Sequence, residues 1–114
     1  MRKQLLSWQW QLYGDGHRDR RNLVLHLLTV PLFVAGTLAI AAAPWPSAWL
    51  FAAGPVAMAT AMAMQGRGHA RETTAPVPFA GPGDALVRIF VEQWVTFPRY
   101  VASGAWLRAW RASR

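Results

Sequence analysis

From residue 23 to residue 66 the chain carries not one Lys, Arg, Asp or Glu. A stretch of that length without charge is a poor surface in water, and a chain of 114 residues has too little sequence left over to wrap it in a soluble core. Burial must come from lipid or from a second subunit. Residues 23–43 form an almost unbroken apolar run of about 21 residues, long enough at a helical rise of about 1.5 Å to cross a hydrocarbon layer of roughly 30 Å. Pro44, Trp45, Pro46 and Ser47 then interrupt the helix and set an aromatic ring where the membrane–water boundary favours one. Residues 48–64 return as a second apolar run rich in Ala, Gly and Met, whose small side chains let two helices approach closely. The pattern predicts an all-α fold in a single domain: a small integral membrane protein built on a transmembrane helical hairpin.

The charges that do occur support this orientation. Arg2, Lys3, Arg18, Arg20 and Arg21 precede the hairpin, Arg67 and Arg71 follow it, and the Pro-Trp-Pro turn has none. Positive flanks of this kind face the cytoplasm, so both termini are expected there. The net charge is +7, but the basic residues bracket apolar segments instead of forming one stripe, and nucleic acid is not an expected partner. The scarcity of lysine against abundant Ala and Arg points to a bacterial inner membrane. With no cysteine in the chain, disulfides, thiolate metal sites and cysteine nucleophiles are excluded. Gln4, Gln9 and Gln11 interrupt the first segment, which therefore does not read as a signal peptide.

Outside the hairpin the elements are shorter. Leu5, Leu6, Trp8, Trp10, Leu12 and Tyr13 predict an N-terminal interfacial helix, stopped by Gly14-Asp15-Gly16. Asp19 or Asn22 is placed to cap the first span. Pro76, Pro78 and Pro82 make residues 73–83 a loop. Residues 85–110 mix apolar positions with Arg88, Glu92, Arg99 and Arg108 and are divided by Pro98, which predicts interfacial or re-entrant helices, not two more crossings. Homo-oligomerisation is a further way to cover such an apolar surface.

A hairpin whose turn is centred near Trp45 pairs residues whose numbers add to about 90, since both helices rise equally from the turn. Asn22 then lies level with His69, and His26 with Gln65. Asn22 and His26 are four apart and share a helical face, as do Gln65, His69 and Glu72, although Gly66 and Gly68 weaken the second helix there. His17 can fold back through the glycine break to join them. Three histidines thus come within reach of one pocket, with Asp15 and Glu72 as the nearer carboxylates and Glu92 as a further one. Imidazole with carboxylate suits non-haem Fe(II), and zinc or manganese as well. His26, ionisable inside an uncharged span, is the hardest to assign to packing alone. The alternative is a non-enzymatic structural or lipid-binding membrane protein in which the histidines serve as interhelical polar contacts.

Tyr13, His17, Asn22, His26 and Pro31, followed by Gln65, Gly68, His69, Glu72 and Pro76, resemble the pattern of the Mpo1-like family. Thr29, where a glycine is usual, and Arg71, where an aromatic is usual, depart from it. The resemblance implies an Fe(II)-dependent membrane dioxygenase that uses O₂ to shorten a 2-hydroxy fatty acid by one carbon. It implies His17, His26 and His69 as metal ligands, with Glu72 as a fourth ligand or as an orienting group. Glu72, Asn22 and Tyr13 are then candidate catalytic residues. Arg21, Gln65, Arg67 and Arg71, with Arg18 beside them, are candidates to meet the fatty-acid substrate.

Overall fold

A computed structural model describes residues 4–42 and 48–113, the side chain of Leu50 excepted. Ala43 at the end of the first expected span, the turn Pro44-Trp45-Pro46-Ser47, and the basic residues Arg2, Lys3 and Arg114 lie outside them. The described residues are helical with short connections and contain no strand. In chain order they form α1 (Leu5–Tyr13), a 3-10 turn (Gly14–Gly16), α2 (Arg20–Ala42) and α3 (Ala48–His69). There follow α4 (Pro82–Val91), a π-helical turn (Glu92–Thr96), α5 (Phe97–Ala102) and α6 (Ala105–Ala112).

Of the two expected caps of α2, Asp19 takes the role: its Oδ1 accepts the N–H groups of Arg21 at 2.9 Å and Asn22 at 3.1 Å. Those amides have no partner within the helix and need one from outside it. Helices α2 and α3 pack as the hairpin, and glycine lets them touch. A Cβ on Gly36 would lie 2.7 Å from the Gly54 carbonyl, and one on Gly54 would lie 2.5 Å from Ile40. Towards the other end, a Cβ on Gly68 would lie 2.2 Å from Oδ1 of Asn22. Both pairs fall on the register set by a turn near Trp45. Helix α3 runs on through Gly66 and Gly68 to His69, beyond the expected end of the span at Met64, because close contact with α2 offsets the weak helix propensity of glycine.

Residues 82–102 form one helical rod that runs antiparallel to α2. Phe90 meets Phe33 with ring centroids 5.2 Å apart and Phe97 meets His26 at 5.9 Å. At the start of α6 the Trp106 indole donates to the Leu23 carbonyl at 3.1 Å. The rod therefore begins beside the middle of the hairpin and ends at its histidine-bearing end. A buried amide pair ties it in place: Gln65 donates to Gln93 at 2.9 Å, Gln93 donates back at 2.8 Å, and Gln65 also donates to Thr29 at 3.1 Å. Paired amides leave little unmet polarity in a dry contact, where an unpaired one would cost about 1–3 kcal/mol. Helix α1 packs on this rod: Gln9 donates to the Arg88 carbonyl at 3.1 Å, and Trp10 stands edge-on to Tyr100 at 6.0 Å.

The outside of the bundle is apolar. Leu27, Leu28, Leu38, Phe51 and Val56 on the hairpin and Trp94 and Val95 on the rod are exposed. Among the described residues α2 is long and apolar enough to cross a membrane, by length and composition.

Candidate metal centre

The three histidines reach one point from three elements. His17 follows the 3-10 turn, whose reversal is closed by its own N–H on the Gly14 carbonyl at 3.2 Å. Its Nδ1 then lies 2.6 Å from the Tyr13 carbonyl. His26, on the buried face of α2, has its Nδ1 3.0 Å from the Asn22 carbonyl. His69 is the last residue of α3. The rings stand edge to face around the point where they meet, with centroids 4.6 Å (His17–His26), 4.9 Å (His17–His69) and 4.8 Å (His26–His69) apart.

The fourth member is Glu92, first residue of the π turn. Such a turn adds a residue to an α-helix and shifts the face presented on either side of it, so that Glu92 and the buried Gln93, Thr96, Phe97 and Tyr100 all point inward. Glu92 Oε2 lies 3.6 Å from His26 Nε2 and 3.9 Å from His17 Nε2, and accepts the Tyr13 hydroxyl at 2.9 Å. One ligand atom from each of His17, His26, His69 and Glu92 lies within 4.8 Å of all the others, a group that could hold a metal ion.

Protonation sharpens the geometry. A carbonyl only accepts, so Nδ1 of His17 and of His26 must each carry the ring hydrogen. The two Nε2 atoms face each other at 3.3 Å, and a neutral imidazole with its hydrogen on Nδ1 has a lone pair at Nε2. Lone pairs and a carboxylate gathered at this spacing attract a cation, whether a proton or a metal ion. Burial and then the neighbouring His26 push the His17 imidazole down to about 3. His69 Nδ1 is also buried without a hydrogen-bond partner. Three imidazoles and one carboxylate, with Nδ1 of His17 and of His26 anchored on backbone carbonyls, fit a divalent metal of the iron, zinc or manganese type.

Several residues stand elsewhere than the spacing suggested. Glu72 borders the cavity beside the histidines but is not one of the four residues whose ligand atoms converge. Its carboxylate accepts the N–H groups of Arg18 and Asp19 at 2.9 Å each and the Asn22 amide at 2.8 Å, bracing the entrance to α2. Glu92 is the carboxylate that joins the three histidines in the group that could hold a metal ion. Asn22, fully buried, spends its amide on Glu72 and on the Gly16 carbonyl at 3.2 Å, which makes it a brace as well. Tyr13 does reach the centre, through Glu92 and by stacking on His17 with centroids 3.9 Å apart. Gln65 borders the cavity beside the centre but is engaged by Gln93 and Thr29. Arg18, Arg21, Arg67 and Arg71 are exposed and do not line that cavity; Arg18 pairs with Asp15 at 2.9 Å and Arg71 with Asp19 at 3.3 Å.

The cavity holds about 600 Å³. His17, His69 and Glu92 border it, and its walls are largely apolar, from Trp8, Leu12, Met62, Val77, Phe79 and Ile89. Arg88 is the arginine that lines it. Spacing arguments centred on the hairpin passed over Arg88 and Gln93 and set Glu92 behind Asp15 and Glu72. The available signal was Glu92 itself, the last acidic residue of the chain, set in an apolar segment where an ionisable group has a strong expectation of function. Comparison with known proteins found no matching family model, no matching curated protein and no matching solved structure.

Proposed function

We propose that this chain is a membrane-embedded, Fe(II)-dependent dioxygenase that shortens 2-hydroxy fatty acids by one carbon, as its resemblance to the Mpo1-like family suggests. The observation that carries the reading is the convergence of His17, His26, His69 and Glu92, one ligand atom of each lying within 4.8 Å of all the others. In this reading α2 and α3 cross the membrane, the 82–102 rod is re-entrant, and both termini face the cytoplasm of a bacterial inner-membrane protein. The exposed Leu, Phe, Val and Trp side chains of hairpin and rod support it, being unsuited to water over so large an area.

His17, His26, His69 and Glu92 would hold the iron, which when bound supplies the redox and O₂ chemistry that none of these side chains can. The chain's own groups set the stage. The Tyr13 and Asn22 carbonyls fix the tautomers of His17 and His26, and the Tyr13 hydroxyl orients Glu92. The apolar walls of the cavity accept an acyl chain and keep water from the reacting end. A purely cross-helix polar role for the histidines is less well supported, since the Nδ1 bonds of His17 and His26 run to carbonyls four residues earlier in sequence. Cross-helix polar pairing is done by Gln65, Gln93 and Thr29.

Oxygen uptake by the detergent-purified, iron-loaded protein tests the proposal. Uptake with 2-hydroxyhexadecanoate, matched by a product one carbon shorter and absent with hexadecanoate, is expected. Binding of the hydroxy acid without oxygen consumption would make the protein a lipid carrier instead.

A further inference from the structure

Arg88 is 8% exposed and lies at the cavity wall one helical turn before Glu92. Its guanidinium is only partly engaged. Nη1 donates to the Pro78 carbonyl at 3.1 Å and to Asp84 at 3.3 Å, and Nη2 donates to the Val77 carbonyl at 2.8 Å. Nε is buried and has no partner. The group is held in position by ring faces as well, Trp8 at 5.0 Å and Phe79 at 4.6 Å from its central carbon. Nη2 carries a second hydrogen that none of these bonds uses, and a guanidinium fixed by its neighbours at the wall of an apolar cavity is a preorganised anchor for an acceptor that the space admits.

We infer that the guanidinium of Arg88 anchors the carboxylate of a single-chain amphiphile whose tail fills the apolar part of the cavity. The inference deepens the proposed function by naming the group that selects an acid, and its test is independent of the metal. A carboxylate suits the site better than a phosphate: Glu92 lines the same cavity and Asp84 already shares Arg88, so a second negative charge on the ligand would meet repulsion without a second buried cation. None of the arginines expected to meet the substrate lines the cavity, which leaves Arg88 to supply the recognition.

The experiment compares hexadecanoate with hexadecanol, binding each to the full chain in detergent with EDTA present so that no metal can hold the carboxylate. In Arg88→Gln the acid should weaken roughly tenfold or more, the scale of a lost charge-assisted hydrogen bond, while the alcohol stays within about twofold. An equal loss of acid and alcohol would mean that Arg88 only pins the loop at Val77 and Pro78, and no loss of acid binding would also overturn the assignment. Asp84→Asn provides the opposite arm, and decides the matter should Arg88→Gln fail to fold. Removal of the competing carboxylate should raise the ratio of acid to alcohol affinity, and an unchanged or lowered ratio would refute the anchor. Failure of the oxidation reading alone would leave both arms as expected, with acid selectivity but no oxygen uptake.

Discussion

Tyr13 gives the centre three contacts: its hydroxyl to Glu92 at 2.9 Å, its carbonyl to His17 Nδ1 at 2.6 Å, and its ring stacked on the His17 imidazole. Tyr13→Phe removes the first and keeps the other two. Metal affinity, measured by competition with a chromophoric chelator, is expected to fall about 10–100-fold with the fold intact; an unchanged affinity would show that Glu92 needs no such support. Glu72→Gln separates the two carboxylates. It should leave the metal bound while lowering thermal stability by about 1 kcal/mol, the scale of a lost helix-end contact. The spacing of His69 and Glu72 had suggested one helical face, but α3 ends at His69, and beyond that point the rule of three and four no longer governs direction. Glu72 turns instead to the free amides at the start of α2, where the helix dipole favours negative charge. His26 was legible because its position depends only on α2, which the uncharged run made certain.

At the scale of elements, the hairpin and its register followed from equal rise on either side of a turn, and the contact of Asn22 with Gly68 lies where that counting put it. The π turn did not follow. An inserted residue has no periodic signature in a short segment, and this one is stabilised by contacts remote in sequence, Glu92 to Tyr13 and Gln93 to Gln65. Deletion of Trp94, whose side chain is exposed, should convert the π turn to regular helix and rotate Glu92 away from the face shared with Phe97 and Tyr100. The expected outcome is metal affinity reduced by roughly tenfold or more with the far-ultraviolet helical signal nearly unchanged. Retained affinity would mean that Glu92 reaches the histidines without the inserted residue.

Over the whole molecule, the absence of charge between residues 23 and 66 foretold the helical hairpin, and the prolines after residue 73 foretold the loop that separates it from the C-terminal helices. The packing of those helices was less legible, because Arg88, Glu92 and Arg99 read as marks of interfacial or re-entrant helices and did not say which side chains turn inward. In the fold Arg88 and Gln93 are buried, one held by backbone carbonyls and the other by Gln65. Polarity in this segment is spent on building a cavity and completing a site between three layers, α1, the hairpin and the rod. Metal content is the measurement closest to the centre of this picture. The protein purified in detergent and loaded anaerobically with Fe(II) should retain close to one metal ion per chain, and His17→Ala, His26→Ala, His69→Ala and Glu92→Ala should each lose most of it, with Glu72→Gln unaffected. Near-zero metal in the wild type, or equal metal in all of these proteins, would contradict a site formed by three histidines and Glu92.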